Sequence, residues 1–493
     1  MDARPCPLEI ASATAPCIPC TLHARAIHAA VLLPAISEVF ARRRSASILG
    51  ANAAVVDGPR FSYWATEPKE TFEFTVDGKE PFEKLESALA RYTLCEGPAS
   101  LPDGLFRGGW IGYLAYELGR HIERLPRRAV NDLALPLIRL CFHDRFLAYD
   151  HREDAFWLIA LELPDDRESP QEKIETLERL LDEAQDMDVP CPPAANIEHL
   201  DASRIADNIG EAPYLRAVER IKRYIRDGEV YQVNLSHRCE CPFAGRPIDL
   251  FHWQNRYNPS PYAAFVDAGD FQIVSASPEL FIRLDNGWIE TKPIKGTRPR
   301  LVGGDPRSAA ANRRNINELL SSEKEKAELN MIVDLERNDV ARICRPGTRR
   351  VLQPRTIETY PTVFHAVATV GGELRTGIRL TDILRAMFPG GSITGAPKIR
   401  AMEIIDEFEP TARGIYTGSI GFIGLDGTAC LNIAIRTVII AAHRAFVQTG
   451  GGIVADSDPK AEWQETIVKA RALLAGIDAV QKSWIATFGR AVG

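Results

Sequence analysis

The chain has 493 residues, of which 45% are hydrophobic and 25% are charged. This composition is typical of globular proteins and excludes fibrous and disordered classes, while the length exceeds the roughly 100 to 200 residues of a single typical domain. The formal net charge is -7, with 59 Lys and Arg against 66 Asp and Glu and no long basic run. We therefore expect no nucleic acid partner.

The apolar stretches around residues 31–36 and 433–442 fall short of the roughly eighteen consecutive apolar residues that a membrane span needs. No membrane partner is expected. The first thirty residues lack the basic start and apolar core of a secretory signal, and ten cysteines are too sparse for a disulfide scaffold. These features favour a cytoplasmic protein with reduced thiols.

Residues 1–25 are rich in Ala, Pro, Cys and Thr without periodicity, which predicts a loose N-terminal leader. A first globular region of mixed α and β structure is predicted over residues 26–181. Short apolar runs at residues 146–149 and 155–159 predict strands, and residues 172–181 have the pattern of a helix.

Residues 182–208 become polar and proline-bearing, which is typical of a linker, so a second region is predicted over residues 209–480. It begins with an amphipathic helix that ends at Gly228. The next segment, residues 230–238, alternates as a strand whose polar face includes Gln232. Either a solvated sheet face or a functional site explains these polar residues.

Asn286 and Gly287 separate two apolar runs, and this dipeptide predicts a β-hairpin that brings Glu279 and Lys295 close together. A two-residue loop would put the two side chains on opposite faces. A three-residue loop with Gly287 left-handed would put them on one face, where a carboxylate and an amine can act on one substrate. Two exposed charges at the end of a hairpin are the alternative.

Two predicted helices carry glutamate pairs at a spacing of three, Glu325 with Glu328 and Glu462 with Glu465, and Lys469 shares the face of the second pair. Like charges at this spacing repel each other, so a cation between the helices would explain them. Carboxylate oxygens favour Mg²⁺. Ordinary solvated helix faces remain an alternative.

Two glycine-rich segments could bring backbone N–H groups close to an anion. Residues 389–398 precede a helix, and residues 449–453 are predicted to follow an apolar strand. Neither matches a nucleotide-binding fingerprint, and tight turns would also explain them. Arg436 is predicted to lie inside an apolar strand, where its guanidinium needs a carboxylate partner that a substrate could provide.

Several motifs of the second region together resemble the chorismate-utilising enzymes, which comprise anthranilate, aminodeoxychorismate, isochorismate and salicylate synthases. The resemblance covers about residues 210–475 nearly end to end and the first region more weakly. It implies an α+β fold with large antiparallel sheets packed face to face and helices outside. The motifs are Ser277-Pro278-Glu279, Pro293-Ile294-Lys295-Gly296-Thr297-Arg298, Ile332-Val333-Asp334-Leu335, Arg337-Asn338-Asp339, Gly395-Ala396-Pro397-Lys398 and Gly450-Gly451-Gly452-Ile453.

The resemblance also implies roles for individual residues. Glu328 and Glu465 match the Mg²⁺ ligands, and Glu325 and Glu462 would act nearby through water. His365 and Thr297 match active-site residues that address the ring region. Other residues match those that bind the substrate carboxylates in the family. They are Arg436, Tyr416, Lys469 and the backbone of Gly450, Gly451 and Gly452.

Two positions distinguish the members of the family. Isochorismate and salicylate synthases resemble one another in having a lysine base where this chain has Gln232. Anthranilate synthases typically have Pro-Ile-Ala-Gly-Thr, whereas the motif with Lys295 is similar to that of aminodeoxychorismate synthases. A neutral Lys295 could attack C2 of chorismate with loss of the C4 hydroxyl, to which Glu279 would donate a proton, and ammonia would then expel the lysine from C4.

No cysteine has the Gly-x-Cys-x-Gly surroundings of a glutaminase nucleophile. Ammonia is therefore expected from a separate glutamine amidotransferase subunit or from solution. The resulting prediction is component I of an aminodeoxychorismate synthase in para-aminobenzoate and folate synthesis. Its alternatives are the anthranilate synthase large subunit and, more remotely, a non-catalytic chorismate-binding or glutaminase-scaffold subunit.

Overall fold

A computed structural model of the protein describes residues 17–52, 58–98, 100–195, 205–301, 303 and 305–488. Its strands are β1 (Ile18–Ile27), β2 (Ser47–Leu49), β3 (Phe61–Ala65), β4 (Glu70–Phe74), β5 (Tyr92–Glu96), β6 (Gly109–Leu114), β7 (Ile138–His143), β8 (Arg145–Asp150), β9 (Ala155–Glu162), β10 (Ala206–Asp207), β11 (Gln232–Pro242), β12 (Tyr262–Asp267), β13 (Phe271–Ser277), β14 (Leu280–Asp285), β15 (Trp288–Lys292), β16 (Ile294–Pro299), β17 (Arg350–Thr359), β18 (Val363–Glu373), β19 (Gly395–Ala396), β20 (Ser419–Gly424), β21 (Ala429–Asn432), β22 (Thr437–Ala441) and β23 (Arg444–Ile453).

The helices of the described residues are α1 (Leu33–Ala41), α2 (Pro81–Leu89), α3 (Pro170–Gln185), α4 (Glu211–Arg226), α5 (Pro247–Tyr257), α6 (Pro306–Ser321), α7 (Glu323–Ala341), α8 (Leu380–Met387), α9 (Lys398–Phe408) and α10 (Pro459–Phe488). Short 3₁₀ turns occur at Tyr116–His121 and Gly391–Ile393. None of these helices combines the length and the apolar composition that a membrane span requires.

Two sheets organise the described part of the chain. The larger, with 13 strands, has the order β10-β11-β23-β22-β13-β12-β2-β3-β8-β9-β1-β5, and β19 also pairs with β11. The smaller, with 10 strands, has the order β16-β18-β15-β14-β21-β20-β6-β7-β4, and β17 also pairs with β18. Apart from the parallel β1–β5 pair, the pairs within these sheets are antiparallel.

The two sheets pack face to face through aromatic side chains. Tyr63 of the larger sheet meets Phe422 of the smaller at 5.5 Å between ring centroids, and Tyr113 meets Phe271 at 6.1 Å. Rings of this size bury large apolar areas, so these contacts hold the layers together. A second apolar cluster lies between the larger sheet and helices α1, α3, α5 and α10. The predicted α+β fold is confirmed.

Both predicted regions contribute strands to both sheets. The first region's β2 pairs with β12 of the second, and β6 pairs with β20. Residues 26–181 and 209–480 therefore do not build separate sheets. The hydrogen bonds that join them make the two regions one structural unit.

The boundaries near the N-terminus and the linker differ from the prediction. Ile18–Ile27 form β1, which pairs with β5 and β9, so the predicted leader 1–25 is wrong from residue 18 onward. Residues 1–16 lie outside the described residues. The predicted linker 182–208 overlaps the last turn of α3 and all of β10, and its residues 196–204 are also outside the description.

Candidate active site

The predicted site residues gather where β11 and β23 of the larger sheet approach β16 of the smaller sheet. Gly452 marks the contact, because a β-carbon placed there would lie 3.1 Å from the side-chain amide of Gln232 and 3.3 Å from Lys295 Nζ. Three strands of two different sheets therefore bring their residues to one point, and a side chain at position 452 would occupy that space.

The three glycines lie within β23 rather than after a strand, which corrects the prediction for residues 449–453. Gly450, Gly451 and Gly452 pair with Ser236, Leu235 and Asn234 of β11. A β-carbon on Gly450 would lie 2.6 Å from the Leu235 carbonyl oxygen, so this position needs glycine for close backbone packing. The absence of side chains also keeps this face of β23 open toward α10.

Gln232 is a fully buried side chain whose amide oxygen and nitrogen have no hydrogen-bond partner among the described residues. Asn234 on the same face of β11 is also buried, and its side-chain oxygen has no partner among them either. Buried polar groups without partners each cost about 1 to 3 kcal/mol. A polar ligand bound here would satisfy them, so this strand face favours a binding site over a solvated surface.

The predicted hairpin forms and combines features of both proposed registers. Asn286 and Gly287 have φ values of 49° and 74°, and Asp285 pairs with Trp288 across a two-residue loop. A bulge between Leu280 and Arg283 then shifts the pairing by one residue. The predicted strand 288–294 ends at Lys292, and Pro293 separates it from β16, where Lys295 lies.

Glu279 lies buried between β13 and β14 and accepts a hydrogen bond from the backbone N–H of Ile294. Burial raises the pKa of its carboxyl to about 7, against the opposing effects of the Ser392 hydroxyl and Lys295. Such a carboxyl holds a proton near neutral pH and can donate it.

Lys295 is half-buried, and the desolvation of its amine lowers the pKa of that amine. Lys469 lowers the pKa further, whereas Glu328, Glu279 and Glu465 raise it. These electrostatic effects show that residues of α7, α10 and the hairpin all surround the amine. A lowered pKa increases the fraction of neutral amine, which is the form that attacks carbon.

His365 and Thr297 face each other on neighbouring strands β18 and β16, with 2.8 Å between Thr297 Oγ1 and His365 Nδ1. The pKa of His365 is lowered to about 3, mainly because the ring is buried and to a smaller extent because the Arg436 cation lies nearby. The imidazole is therefore neutral at physiological pH. The Thr297 hydroxyl fixes the orientation of its ring.

Arg436 lies between β21 and β22 and not inside a strand, which corrects the prediction. Its φ of 50° is in the left-handed region, where a residue with a side chain is strained by about 1 kcal/mol. Burial lowers the pKa of its guanidinium. A buried cation of this kind is suited to an anionic ligand.

Tyr416 is buried on the segment before β20, and burial raises the pKa of its hydroxyl. The guanidinium carbon of Arg413 lies 5.8 Å from the centre of its ring. Tyr416 therefore carries a neutral phenol at physiological pH.

The carboxylates of α7 differ in their surroundings. Glu325 accepts a hydrogen bond from Arg298 at 2.8 Å, and its other oxygen is buried without a hydrogen-bond partner among the described residues. Glu328 is half-buried, and one of its oxygens lies 3.9 Å from the Lys324 amine. Glu328 is thus only loosely paired within the protein.

The α10 residues meet β23. The Ser457 hydroxyl donates to Glu462 at 2.6 Å, and the other Glu462 oxygen lies 3.1 Å from the position of a β-carbon on Gly451. Lys469 Nζ lies 2.7 Å from Glu465 and donates to the Gly450 carbonyl oxygen at 3.0 Å. Burial raises the pKa of Glu462, whereas Lys469 lowers that of Glu465 despite the opposing effect of burial.

This carboxylate set fits a magnesium ion. Its oxygens are hard ligands, and Glu325 presents a buried oxygen without a partner among the described residues. No three of these four glutamates place oxygens within 4.8 Å of one another in the described part of the chain. This spacing suits an ion that uses one or two carboxylates and keeps several waters.

Arg413 was not predicted as a site residue. Its buried guanidinium donates to the Asn234 carbonyl at 2.8 Å, to the Ile393 carbonyl at 2.9 Å and to Glu409 at 2.7 Å. It therefore ties β11 to the turn that contains Ser392, the residue beside Glu279. Glu409 lies one helical turn away in sequence, but the Asn234 and Ile393 carbonyls are distant, so no spacing pattern could have indicated this role.

Three comparisons relate the chain to known proteins. A sequence model described as chorismate binding enzyme matches residues 43–475. The chain is 42% identical over 369 residues to aminodeoxychorismate synthase component 1 of Bacillus subtilis, which covers 75% of this chain and 76% of the relative. It is 40% identical over 427 residues to an anthranilate synthase component 1 of Haloarcula marismortui, with 85% of each chain covered.

Among solved structures, anthranilate synthase component I of Streptococcus pneumoniae has a TM-score of 0.71 and 30% identity, and the match covers 84% of this chain and 92% of that chain. The isochorismate synthase MenF of Escherichia coli shares the fold, with a TM-score of 0.66 at 17% identity over 95% of this chain and 97% of that chain.

Proposed function

Because this chain belongs to the chorismate-binding enzymes, we propose that it is component I of an aminodeoxychorismate synthase. It would convert chorismate and ammonia to 4-amino-4-deoxychorismate and water. The observation that carries this choice is Lys295, a half-buried amine with a lowered pKa in the same site as a buried carboxyl with a raised pKa, that of Glu279.

In the first half of the proposed reaction, the neutral Lys295 amine bonds to C2 of chorismate. Both ring double bonds shift, the bond between C4 and its oxygen breaks, and Glu279 gives its proton to the departing hydroxyl, which leaves as water. A carboxyl with a pKa near 7 is suited to this proton transfer near neutral pH.

In the second half, ammonia bonds to C4, both double bonds return to their original positions, and the bond between C2 and the Lys295 nitrogen breaks. Lys295 leaves as a neutral amine. The new ammonium group returns a proton to Glu279. Protons and leaving groups therefore balance, and both residues are restored.

Arg436, Tyr416, Lys469 and the backbone of β23 would hold the carboxylates of the substrate, and His365 with Thr297 would orient the ring. Glu328 and Glu465, with Glu325 and Glu462 acting through water, would hold a magnesium ion. Bound there, the ion would neutralise charge on a substrate carboxylate.

The relatives' names describe component 1 of a synthase, which supports a second subunit for this chain as well. We propose a glutamine amidotransferase that supplies ammonia. The anthranilate synthase large subunit remains the second candidate function, because identity to such proteins, at 38% to 40%, nearly equals identity to aminodeoxychorismate synthases, at 39% to 42%.

Product analysis separates the two candidates. The chain is incubated with chorismate, Mg²⁺ and an ammonium salt at alkaline pH, and the product is identified by mass. Aminodeoxychorismate supports the proposal. Anthranilate, formed with release of pyruvate, would instead support the second candidate.

A further inference from the structure

A second cluster of chemically reactive side chains lies on the opposite face of β11 from Gln232 and Asn234. It consists of Asp207 on β10 and His237 and Cys239 on β11. The His237 ring packs against Trp463 of α10, with 4.6 Å between ring centroids. The cluster therefore lies on the other face of β11 from Gln232 and Asn234, and it contacts α10, the helix that also carries Glu462 and Glu465.

Three donor atoms converge in this cluster. His237 Nδ1 contacts Asp207 Oδ2, the Cys239 sulfur lies 3.6 Å from the same oxygen, and the three donors lie within 4.8 Å of one another. One imidazole nitrogen, one sulfur and one carboxylate oxygen are ligands that zinc accepts in its sites.

Hydrogen bonds outside the cluster orient two of the donors. The Thr466 hydroxyl donates to the Trp463 carbonyl at 2.7 Å, so its oxygen can only accept at the 2.8 Å contact with His237 Nε2. Nδ1 donates its N–H to the Asp207 carboxylate, a proton that a metal ion would displace, and Nε2 donates its N–H to Thr466. Metal-binding histidines typically donate their other ring N–H in this way.

Asp207 is held in a similar manner. Its Oδ1 accepts hydrogen bonds from the backbone N–H groups of Ile209 at 3.0 Å and Gly210 at 2.7 Å, which leaves Oδ2 directed at His237 and Cys239. Asp207 keeps 21% of its side chain exposed, whereas His237 is fully buried. Solvent can thus reach the cluster from the Asp207 side, which provides access for an ion and a water ligand.

We propose that Asp207, His237 and Cys239 form a zinc-binding site. The ligands would be Asp207 Oδ2, His237 Nδ1 and Cys239 Sγ, with water in the fourth position. Binding replaces the hydrogen bonds inside the cluster and releases two protons to water, one from the Cys239 thiol and one from His237 Nδ1. The hydrogen bond from His237 to Thr466 connects the site to α10, the helix that carries Glu462 and Glu465. This inference does not depend on the proposed function.

Cobalt substitution tests the proposal independently of enzyme activity. The full chain is stripped of metal with a chelator, titrated with Co²⁺ and followed by near-ultraviolet absorption. We expect a thiolate-to-cobalt charge-transfer band that saturates at one ion per chain and disappears when zinc is added. Absence of the band would leave only a hydrogen-bonded imidazole and carboxylate pair and would overturn the proposal.

Matched variants identify the ligands. Cys239→Ser should abolish the band, whereas Cys241→Ser, two residues along the same buried strand, should retain it. Glu465→Gln should also retain it, because that residue belongs to the candidate magnesium site. An equal band in Cys239→Ser and wild-type protein would contradict the assignment. Should Cys239→Ser fail to fold, Asp207→Asn should still weaken cobalt binding at least ~10-fold, and unchanged affinity would refute the site.

Discussion

Burial at one site shifts the pKa values of Lys295 and Glu279 in opposite directions, lowering that of the amine and raising that of the carboxyl to about 7. Each group also opposes the shift of the other, since a charged Lys295 favours a charged Glu279. Burial exceeds this mutual attraction in both cases. The site therefore shifts the amine toward its neutral form and the carboxyl toward its protonated form, which are the forms that nucleophilic attack with proton donation requires.

The raised pKa of Glu279 predicts a dependence of stability on pH. The unfolded carboxyl ionises near pH 4.5, whereas the folded one keeps its proton up to about 7. The free energy of unfolding is therefore unaffected below pH 4.5, falls by roughly 3 kcal/mol as the pH rises from 4.5 to about 7, and stays lower above pH 7. Glu279→Gln removes this titration.

Urea unfolding measures the effect. Relative to wild-type protein, Glu279→Gln should gain stability between pH 5 and pH 8. The exposed Glu323 on α7 offers a control, and Glu323→Gln should show no such gain. A constant difference between Glu279→Gln and wild type at both pH values would contradict the raised pKa.

The candidate magnesium site predicts separate effects on activity and stability. Glu328→Gln and Glu465→Gln should each abolish most activity while leaving the fold intact, because an isosteric amide relieves the repulsion between neighbouring carboxylates. Activity is measured against Mg²⁺ concentration, with Glu323→Gln as the matched control. Full activity in EDTA, or an unchanged Mg²⁺ requirement in both variants, would count against these ligands.

Gly452 provides a test of the geometry. In Gly452→Ala the new methyl group would lie 3.1 Å from Gln232 and 3.3 Å from Lys295 Nζ, within the space that these side chains share. We expect a fall in kcat with the fold retained. Gly451→Ala meets only Glu462, at 3.1 Å, and should affect the reaction less. Equal activity of Gly452→Ala and wild type would mean that this space is not used.

The absence of glutaminase motifs predicts the nitrogen source. The isolated chain should form product with free ammonia and none with glutamine, and addition of a glutamine amidotransferase partner should make glutamine a donor. Turnover with glutamine by the chain alone would contradict the prediction. The readout is the mass of the product.

Local patterns in the sequence predicted much of the secondary structure, because apolar spacing and turn residues act over a few positions. The amphipathic pattern before Gly228 corresponds to α4, and Asn286 and Gly287 form the predicted hairpin loop. The pairing of strands from the two predicted regions within the same sheets could not be predicted in this way. The β2–β12 pairing depends on contacts between residues about 200 positions apart, for which local periodicity contains no signal.

For the candidate active site, the sequence indicated which residues to consider but gave the wrong local structure for some of them. The motifs indicated candidate residues, and the structure brings four of them, Lys295, Glu279, Gln232 and Gly452, together. The positive φ of Arg436 ends the strand that its apolar neighbours predict, and the glycines 450–452 remain in a strand because close pairing with β11 requires them. Both errors arise because tertiary contacts override local preference.

The last prediction distinguishes a nucleophilic Lys295 from one that acts only through its charge. Arginine preserves the charge but cannot offer a neutral amine at any practical pH. Lys295→Arg should therefore lose aminodeoxychorismate formation as completely as Lys295→Met. Wild-type protein given chorismate and Mg²⁺ without ammonia should accumulate a covalent adduct, with the mass of chorismate less water, on the peptide that contains Lys295. Near-normal amination by Lys295→Arg would refute the covalent route, yet membership of the chorismate-binding family would still stand on residues 43–475.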